Sequence, residues 1–279
     1  MKKLGLIAGG GALPVSLARH CRDIGRPLFI IRLAGFADPD LAGYDGCELG
    51  LGRLGAAISA LRASGCEAIC LAGRVARPNM AELKPDFRGL AALPGVLTAA
   101  RRGDDGLLSF LIGEFEKEGF VVEGAHEVMA DLVLRRGPLA RHKPRRSHGS
   151  DIDRATAAAR AIGRLDAGQA AVACDGLILA LEAQEGTDAM LERVARLPPA
   201  IRGTPGHRRG VLVKVCKPGQ ERRVDLPTIG PGTVRRAADA GLAGIAGEAS
   251  LTIIVERERV IAMADELGLF VVGMDAPRE

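Results

Sequence analysis

Two α/β domains in succession are what this sequence predicts. Apolar strand-like runs alternate with helix patterns in both halves of the chain. The first strand runs straight into a glycine turn and a helix, as a Rossmann-like unit does. A basic stretch carrying two prolines separates the halves, as a domain boundary would. The expected division is 1–134 for an N-terminal Rossmann-like α/β domain, 135–150 for a basic linker and 151–279 for a C-terminal α/β domain. A chain of 279 residues is long for one core and comfortable for two. Its 47% hydrophobic and 26% charged residues are ordinary for a globular protein.

Residues 4–8 read as a buried strand, Gly9-Gly10-Gly11 as a turn, and 13–22 as a helix with Leu13, Leu17 and Cys21 at helical spacing. Backbone N–H groups at such a helix start can hold phosphate. The competing reading is a tight turn that needs glycine only for its backbone. A dinucleotide fingerprint is disfavoured, because its last small residue would fall on Pro14. The second strand, 28–33, also carries Arg32 where an NAD enzyme has an acidic residue. A helix over 53–63 and a third strand over 67–72 follow. Gly73-Arg74-Val75-Ala76-Arg77-Pro78 then leaves the C-terminal end of that strand, where open α/β sheets bind ligands. Its two arginines either grip a phosphate or are solvated loop charges. Residues 104–118 read as a helix with Leu107, Leu108, Leu111 and Phe115 on one stripe and Asp104 as a cap; 120–122 is a fourth strand.

The basic stretch 135–150 reads either as a solvated linker or as an arm drawn to acidic headgroups or ligand phosphates. An Ala-rich helix capped at Asp151 is expected over 151–165. Strands over 168–174 and 177–182 should be joined at Asp175-Gly176, a hairpin signal. The junction Glu182-Ala183-Gln184-Glu185-Gly186-Thr187-Asp188 precedes a helix over 189–196. Its carboxylates and threonine could ligate Mg²⁺ through oxygen, or Thr187 and Asp188 could simply cap the helix.

The stretch 210–233, GVLVKVCKPGQERRVDLPTIGPGT, runs from a short buried strand into a loop made rigid by prolines and glycines. Lys214, Lys217, Gln220 and Arg222 offer donors to an anion, and Asp225 stands just before Leu226-Pro227. In phosphoryl chemistry Asp225 would bind Mg²⁺ or act as base toward water, with Lys214, Lys217 and Arg222 neutralising phosphoryl oxygens. Structurally, it would cap the turn. Helices over 233–240 and 256–267, apolar runs over 245–249 and 251–255, and a last strand over 269–273 complete the chain.

Several classes are disfavoured. No apolar run approaches the ~18 residues of a membrane span, and the N-terminal apolar run is too short for a signal peptide. Six scattered cysteines without a Cys-x-x-Cys pair suit reduced, buried thiols and a cytoplasmic location. A net charge of +4 suits phosphate-bearing ligands, while 3% aromatics and no tryptophan argue against nucleic acid.

In order along the chain, LGLIAGGGALP, GRVARP, LALEAQEGTDAML, GVLVKVCKPGQERRVDLPTIGPGTV and LFVVG together resemble the LpxI-type UDP-2,3-diacylglucosamine pyrophosphatases, lipid A pathway hydrolases of many Gram-negative bacteria. Glu221, where the pattern has Asp, and Arg223-Val224 are departures. The resemblance implies a Mg²⁺-dependent hydrolase in which water attacks the α-phosphorus of UDP-2,3-diacylglucosamine, releasing UMP and 2,3-diacylglucosamine 1-phosphate (lipid X). It places the essential aspartate on Asp225 and the active site in a cleft between the two domains. Gly10, Gly11, Ala12, Gly73 and Arg74 would then contact substrate from the first domain. Glu185, Gly186, Thr187, Asp188, Lys214, Lys217, Gln220 and Arg222 would do so from the second, with Asp225 and Asp188 as metal ligands. Peripheral contact with the inner membrane surface and a homodimer are further expectations. The alternative class is a non-catalytic nucleotide or lipid-phosphate binding protein.

Overall fold

A computed structural model describes residues 1–76, 83–100 and 104–275. The chain divides into two units, Met1–Ala130 with Glu221–Asp225, and Asp131–Gln220 with Leu226–Glu279. The Arg77 and Asp104 side-chain expectations lie outside the described residues.

The first unit alternates β1 (Leu4–Ala8), α1 (Ala12–Asp23), β2 (Leu28–Leu33), β3 (Gly46–Leu49), α2 (Leu54–Ala63), β4 (Ala68–Ala72), α3 (Phe87–Ala100), α4 (Asp104–Lys117), β5 (Val121–Val122) and the single turn α5 (Ala125–Val128). Its sheet is parallel throughout, in the order β3-β2-β1-β4-β5 that marks a doubly wound, Rossmann-like half. The central strands LGLIA and AICLA are near-continuous apolar runs because helices cover a parallel sheet on both faces. Ile7, Ile31, Ile69 and Val122 meet Ile58 and Leu61 of α2 and Ile112 and Phe115 of α4 in one core.

Three elements of this unit were not legible in the sequence: β3, α3 and the single turn α5. Strand β3 is only four residues and half-buried. Helix α3 contains Gly89, Pro94 and Gly95, which read as breakers. Packing overrides them: a Cβ on Gly95 would come 2.4 Å from the Phe110 ring of α4, so glycine lets the two helices approach. Asp86 starts α3 by accepting the Gly89 N–H at 2.7 Å, and also takes the Ala56 N–H in the first turn of α2 at 2.8 Å. Burial pushes its carboxyl pKa up, but N–H donors from Gly89, Ala56 and Gly55 outweigh that and hold it below the ordinary value.

The second unit comprises β6 (Gly137–Pro138), α6 (Gly149–Gly163), β7 (Ala170–Cys174), β8 (Leu177–Leu181), α7 (Gly186–Ala195), β9 (Val211–Lys214), β10 (Thr228–Ile229), α8 (Pro231–Asp239), β11 (Gly244–Glu248), β12 (Ile253–Ile254), α9 (Arg257–Leu267) and β13 (Phe270–Met274). Its mixed sheet runs β6-β13-β11-β9-β7-β8, with β13, β11 and β9 parallel and the other neighbours antiparallel. Short β10 and β12 pair separately. Alternation along β9 builds both faces: Leu212 packs with Met190, Val234 and Val260 of α7, α8 and α9, while Val211 and Val213 pack with Ala155 and Ala159 of α6. Asp175 and Gly176 both have positive φ (49° and 80°), the requirement of the tight β7–β8 hairpin.

Two local expectations are corrected. The stretch 135–150 is built into the second unit: Gly137 and Pro138 pair with Gly273 and Val272 of β13, and His148 lies 5.2 Å from the Phe270 ring. Proline is tolerated there because β6 is an edge strand. Asp151 is no cap. Helix α6 starts at Gly149, and the buried Asp151 carboxylate accepts the Asp175 and Gly176 N–H groups at 3.1 and 2.7 Å, holding the hairpin turn.

Candidate functional site

In the first unit the candidate residues gather where β1 and β4, adjacent and parallel, release their chains at the C-terminal edge of the sheet. Open α/β sheets bind ligands at this kind of switch point. Gly10 and Arg74 exchange backbone N–H bonds at 2.8 Å each, tying the two loops together. Gly73 sits at φ 97°, where a Cβ would meet Gly9 and Gly10 backbone at 2.8 Å. Gly11, φ 93°, opens α1 without a side-chain cap, and the Arg74 guanidinium reaches within 4 Å of the space a Gly11 Cβ would fill. Gly10, Gly11, Ala12, Gly73 and Arg74 are therefore brought together: helix-start N–H groups beside an exposed cation.

Glu221–Asp225 belongs to this first unit. Val224 packs against its core, and Arg223 forks onto Glu221 through Nε and Nη2 at 2.9 and 2.8 Å while Nη1 reaches Glu116 of α4 at 2.7 Å. Hydrogen bonding from Arg223 holds the Glu221 carboxyl below its ordinary pKa, and Glu221 and Glu116 raise that of Arg223 in return. The turn closes with the Asp225 N–H donating to Glu221 O at 3.1 Å. Half-buried Asp225 thus stands on a clamped turn. Glu221 and Arg223, two departures from the family pattern, are partners of each other. Their pairing carries no sequence signal beyond opposite charge two residues apart.

In the second unit the acidic junction folds onto β9. Glu182, 5% exposed, accepts the Gln169 N–H at 2.9 Å and the Thr187 hydroxyl at 2.5 Å. Lys214, also 5% exposed, donates to Thr187 Oγ1 at 2.9 Å and to Thr228 O at 3.0 Å. Thr187 and Lys214 are thus brought together as expected, within a buried chain of polar groups joining β8, α7, β9 and β10. Glu182, one of the junction carboxylates read as a possible Mg²⁺ ligand, is instead the buried acceptor of this chain. Glu185 precedes α7, where its own N–H and then Arg193 hold its carboxyl below the ordinary value. Gly186 has φ 79°, and Asp188 lies in the first helical turn, 3.6 Å from Arg236.

The loop after β9 is organised by side chains on its own unit. Gln220 Oε1 accepts the Lys217 N–H at 2.8 Å, and Lys217 Nζ pairs with Asp166 at 2.7 Å. Buried Glu248, at the end of β11, accepts the Cys216 N–H and Arg160 Nη2, each at 2.8 Å. Glu248 and Arg160 were not singled out, although an apolar strand ending in Glu was visible. Arg222 is exposed. Among the described residues no group of three or more His, Cys, Asp or Glu side chains is placed to hold a metal, and Asp225 and Asp188 belong to different units.

A parallel, Rossmann-like sheet and a second unit built on a mixed sheet define a two-unit α/β protein. Two family models divide the chain between them: the LpxI N-terminal domain matches residues 3–132 and the LpxI C-terminal domain residues 135–272. The chain belongs to the LpxI family. It is 60% identical over 279 residues to the UDP-2,3-diacylglucosamine pyrophosphatase LpxI of Caulobacter vibrioides, covering 100% of this chain and 99% of that protein. A solved structure of CobK precorrin-6A reductase aligns with 12% identity and a TM-score of 0.33, over 100% of this chain and 89% of that one; a likeness so low carries no weight.

Proposed function

We propose that this chain hydrolyses UDP-2,3-diacylglucosamine to UMP and 2,3-diacylglucosamine 1-phosphate, by attack of water on the α-phosphorus, as a step of lipid A biosynthesis. Full-length identity of 60% to a pyrophosphatase of that name is the observation that carries this reading. The local geometry supports it. The Gly10–Ala12 turn with Arg74 suits a phosphate group, and Asp225 stands on a turn fixed by the Glu221–Arg223 fork. Lys217 and Gln220 share a second turn and are assigned to the substrate from the second unit, together with the Glu185–Asp188 junction and Lys214, while Arg222, on the Asp225 turn, is assigned to it from the first.

Mg²⁺ is the metal we assign. The assignment relies on the mode in which Mg²⁺ takes one or two carboxylates from the protein and its other oxygens from substrate phosphate and water. Asp225 would hold it. Asp188, beside Arg236, is assigned the weaker part. When bound, the ion neutralises charge on phosphoryl oxygens. The chain's own contribution is to orient the diphosphate with fixed N–H donors and cations, which is most of what phosphoryl transfer requires.

Release of UMP with Mg²⁺ present, compared between wild type and Asp225→Ala, tests the reading. Turnover should fall by roughly 10² or more, with substrate binding retained. A variant that folds and turns over near the wild-type rate would overturn the assignment. A turnover loss with unchanged Mg²⁺ affinity would make Asp225 the base instead.

A further inference from the structure

Helix α3 wears its apolar side outward. Its exposed positions are Phe87, Leu90, Ala91, Pro94, Leu97 and Thr98, spaced i, i+3, i+4, i+7, i+10 and i+11, which is one continuous helical face. Phe87 is 90% exposed, Leu90 56% and Leu97 45%. A surface helix ordinarily turns charge to water along such a stripe. Here the stripe has none, and the one charged side chain of α3, Arg88, is turned to Glu114 and Glu118. A contiguous apolar face of this kind marks a docking surface.

We propose that this face of α3 seats on a lipid surface, dipping Phe87, Leu90 and Leu97 into the interfacial region of a bilayer. A face without a charged side chain suits lipid as the occupant. No acidic residue lies within α3; Lys84 and Asp86 precede it, the Asp86 carboxylate held by the Gly89 and Ala56 N–H groups, and the sequence continues as Arg101-Arg102-Gly103-Asp104-Asp105. Carboxylates beside it are already matched: Glu114 by Lys117, Glu116 by Arg223, and Glu118 by Arg62 and Arg88. The stripe is a single helix face with three large side chains, small against the ~800 Å² per partner of a stable protein interface, yet enough for shallow insertion. No helix among the described residues is long and apolar enough to cross a membrane, so the contact is parallel to the surface. The choice of lipid also rests on the proposed function, since a diacylated substrate resides where its chains are shielded from water.

The chain contains no tryptophan, so Phe87→Trp supplies a single reporter. Mixed with vesicles of phosphatidylethanolamine and phosphatidylglycerol, its emission should shift to the blue, and Leu90→Asp/Leu97→Asp should cut the co-sedimenting fraction of the full chain by roughly tenfold or more. All three positions are exposed, and unchanged circular dichroism checks that the variants fold. Unshifted emission on vesicles, or co-sedimentation that the double variant leaves intact, overturns the proposal. A blue shift that grows with protein concentration and needs no vesicles also overturns it, because the occupant is then a second copy. The double variant should keep its UMP release on detergent-dispersed substrate. If wild type releases none there, the functional reading falls while vesicle insertion stands or falls by its own measurements.

Discussion

Arg223 binds two carboxylates at once, and through them it fixes the turn that ends at Asp225. Charge-assisted hydrogen bonds of this kind contribute about 1.5–3 kcal/mol each when partly buried, less where water screens them. Arg223→Ala should therefore cost about 1–2 kcal/mol in urea unfolding. Turnover should fall further than that cost suggests, because Asp225 loses its fixed position. The same pair sets an acid limit. Glu221 has a depressed folded pKa, so its contribution is fully present above the unfolded value of 4.5 and is lost as pH falls through the folded one. Stability measured from pH 6 downward should decline below about 4.5 in wild type, and that part of the decline should flatten in Arg223→Ala. At this scale Asp225 could be named as a candidate, because its Leu-Pro context and the surrounding motif are local. Arg223 could not, since its second partner, Glu116, lies 107 positions away.

Among the elements, the β1 and β4 ends are joined so closely that one methyl group should disturb them. Ala at position 73 would place its Cβ 2.8 Å from backbone atoms of Gly9 and Gly10, at a φ of 97° that L side chains avoid. Gly73→Ala should cost about 1–3 kcal/mol and weaken substrate binding with it. Gly43→Ala, where a Cβ meets nothing within 4 Å, should stay within about 0.5 kcal/mol. Thermal unfolding of both variants checks the pair. Strands β1 and β2 were legible to the residue because their apolar runs stop abruptly at glycine and polar residues. Helix α3 was not, because what permits Gly95 there is the ring of Phe110 on another helix. The stretch 135–150 misled for a related reason: a run of cations looks like a linker whenever the edge strand it pairs with is far away in sequence.

At the scale of the molecule, both units keep their cysteines as thiols, and burial grades them. Desolvation lifts the Cys70 thiol to about 12 and Cys174 to about 11, while Cys21 and Cys66 are raised by the same cause. Only Cys47 and Cys216 are more than marginally exposed. Titration with a thiol reagent near pH 8 should modify those two in the native protein, and the other four only after unfolding. Two α/β bodies could be read from alternating elements alone, and one family model ends at residue 132 where the other begins at 135. How the chain is shared between the bodies could not, because it depends on where five residues, Glu221–Asp225, find their packing partners.

That pentapeptide has a consequence for descent and for engineering. The chain passes from one body to the other three times, after Ala130, Gln220 and Asp225. The N-terminal body is therefore not a cassette. A chimaera that exchanges residues 1–130 with those of a relative leaves Val224 and Arg223 facing a foreign core and a foreign position 116. Substitutions in α4 and in the Asp225 turn should consequently have been inherited together, although the two stretches lie in different halves of the sequence.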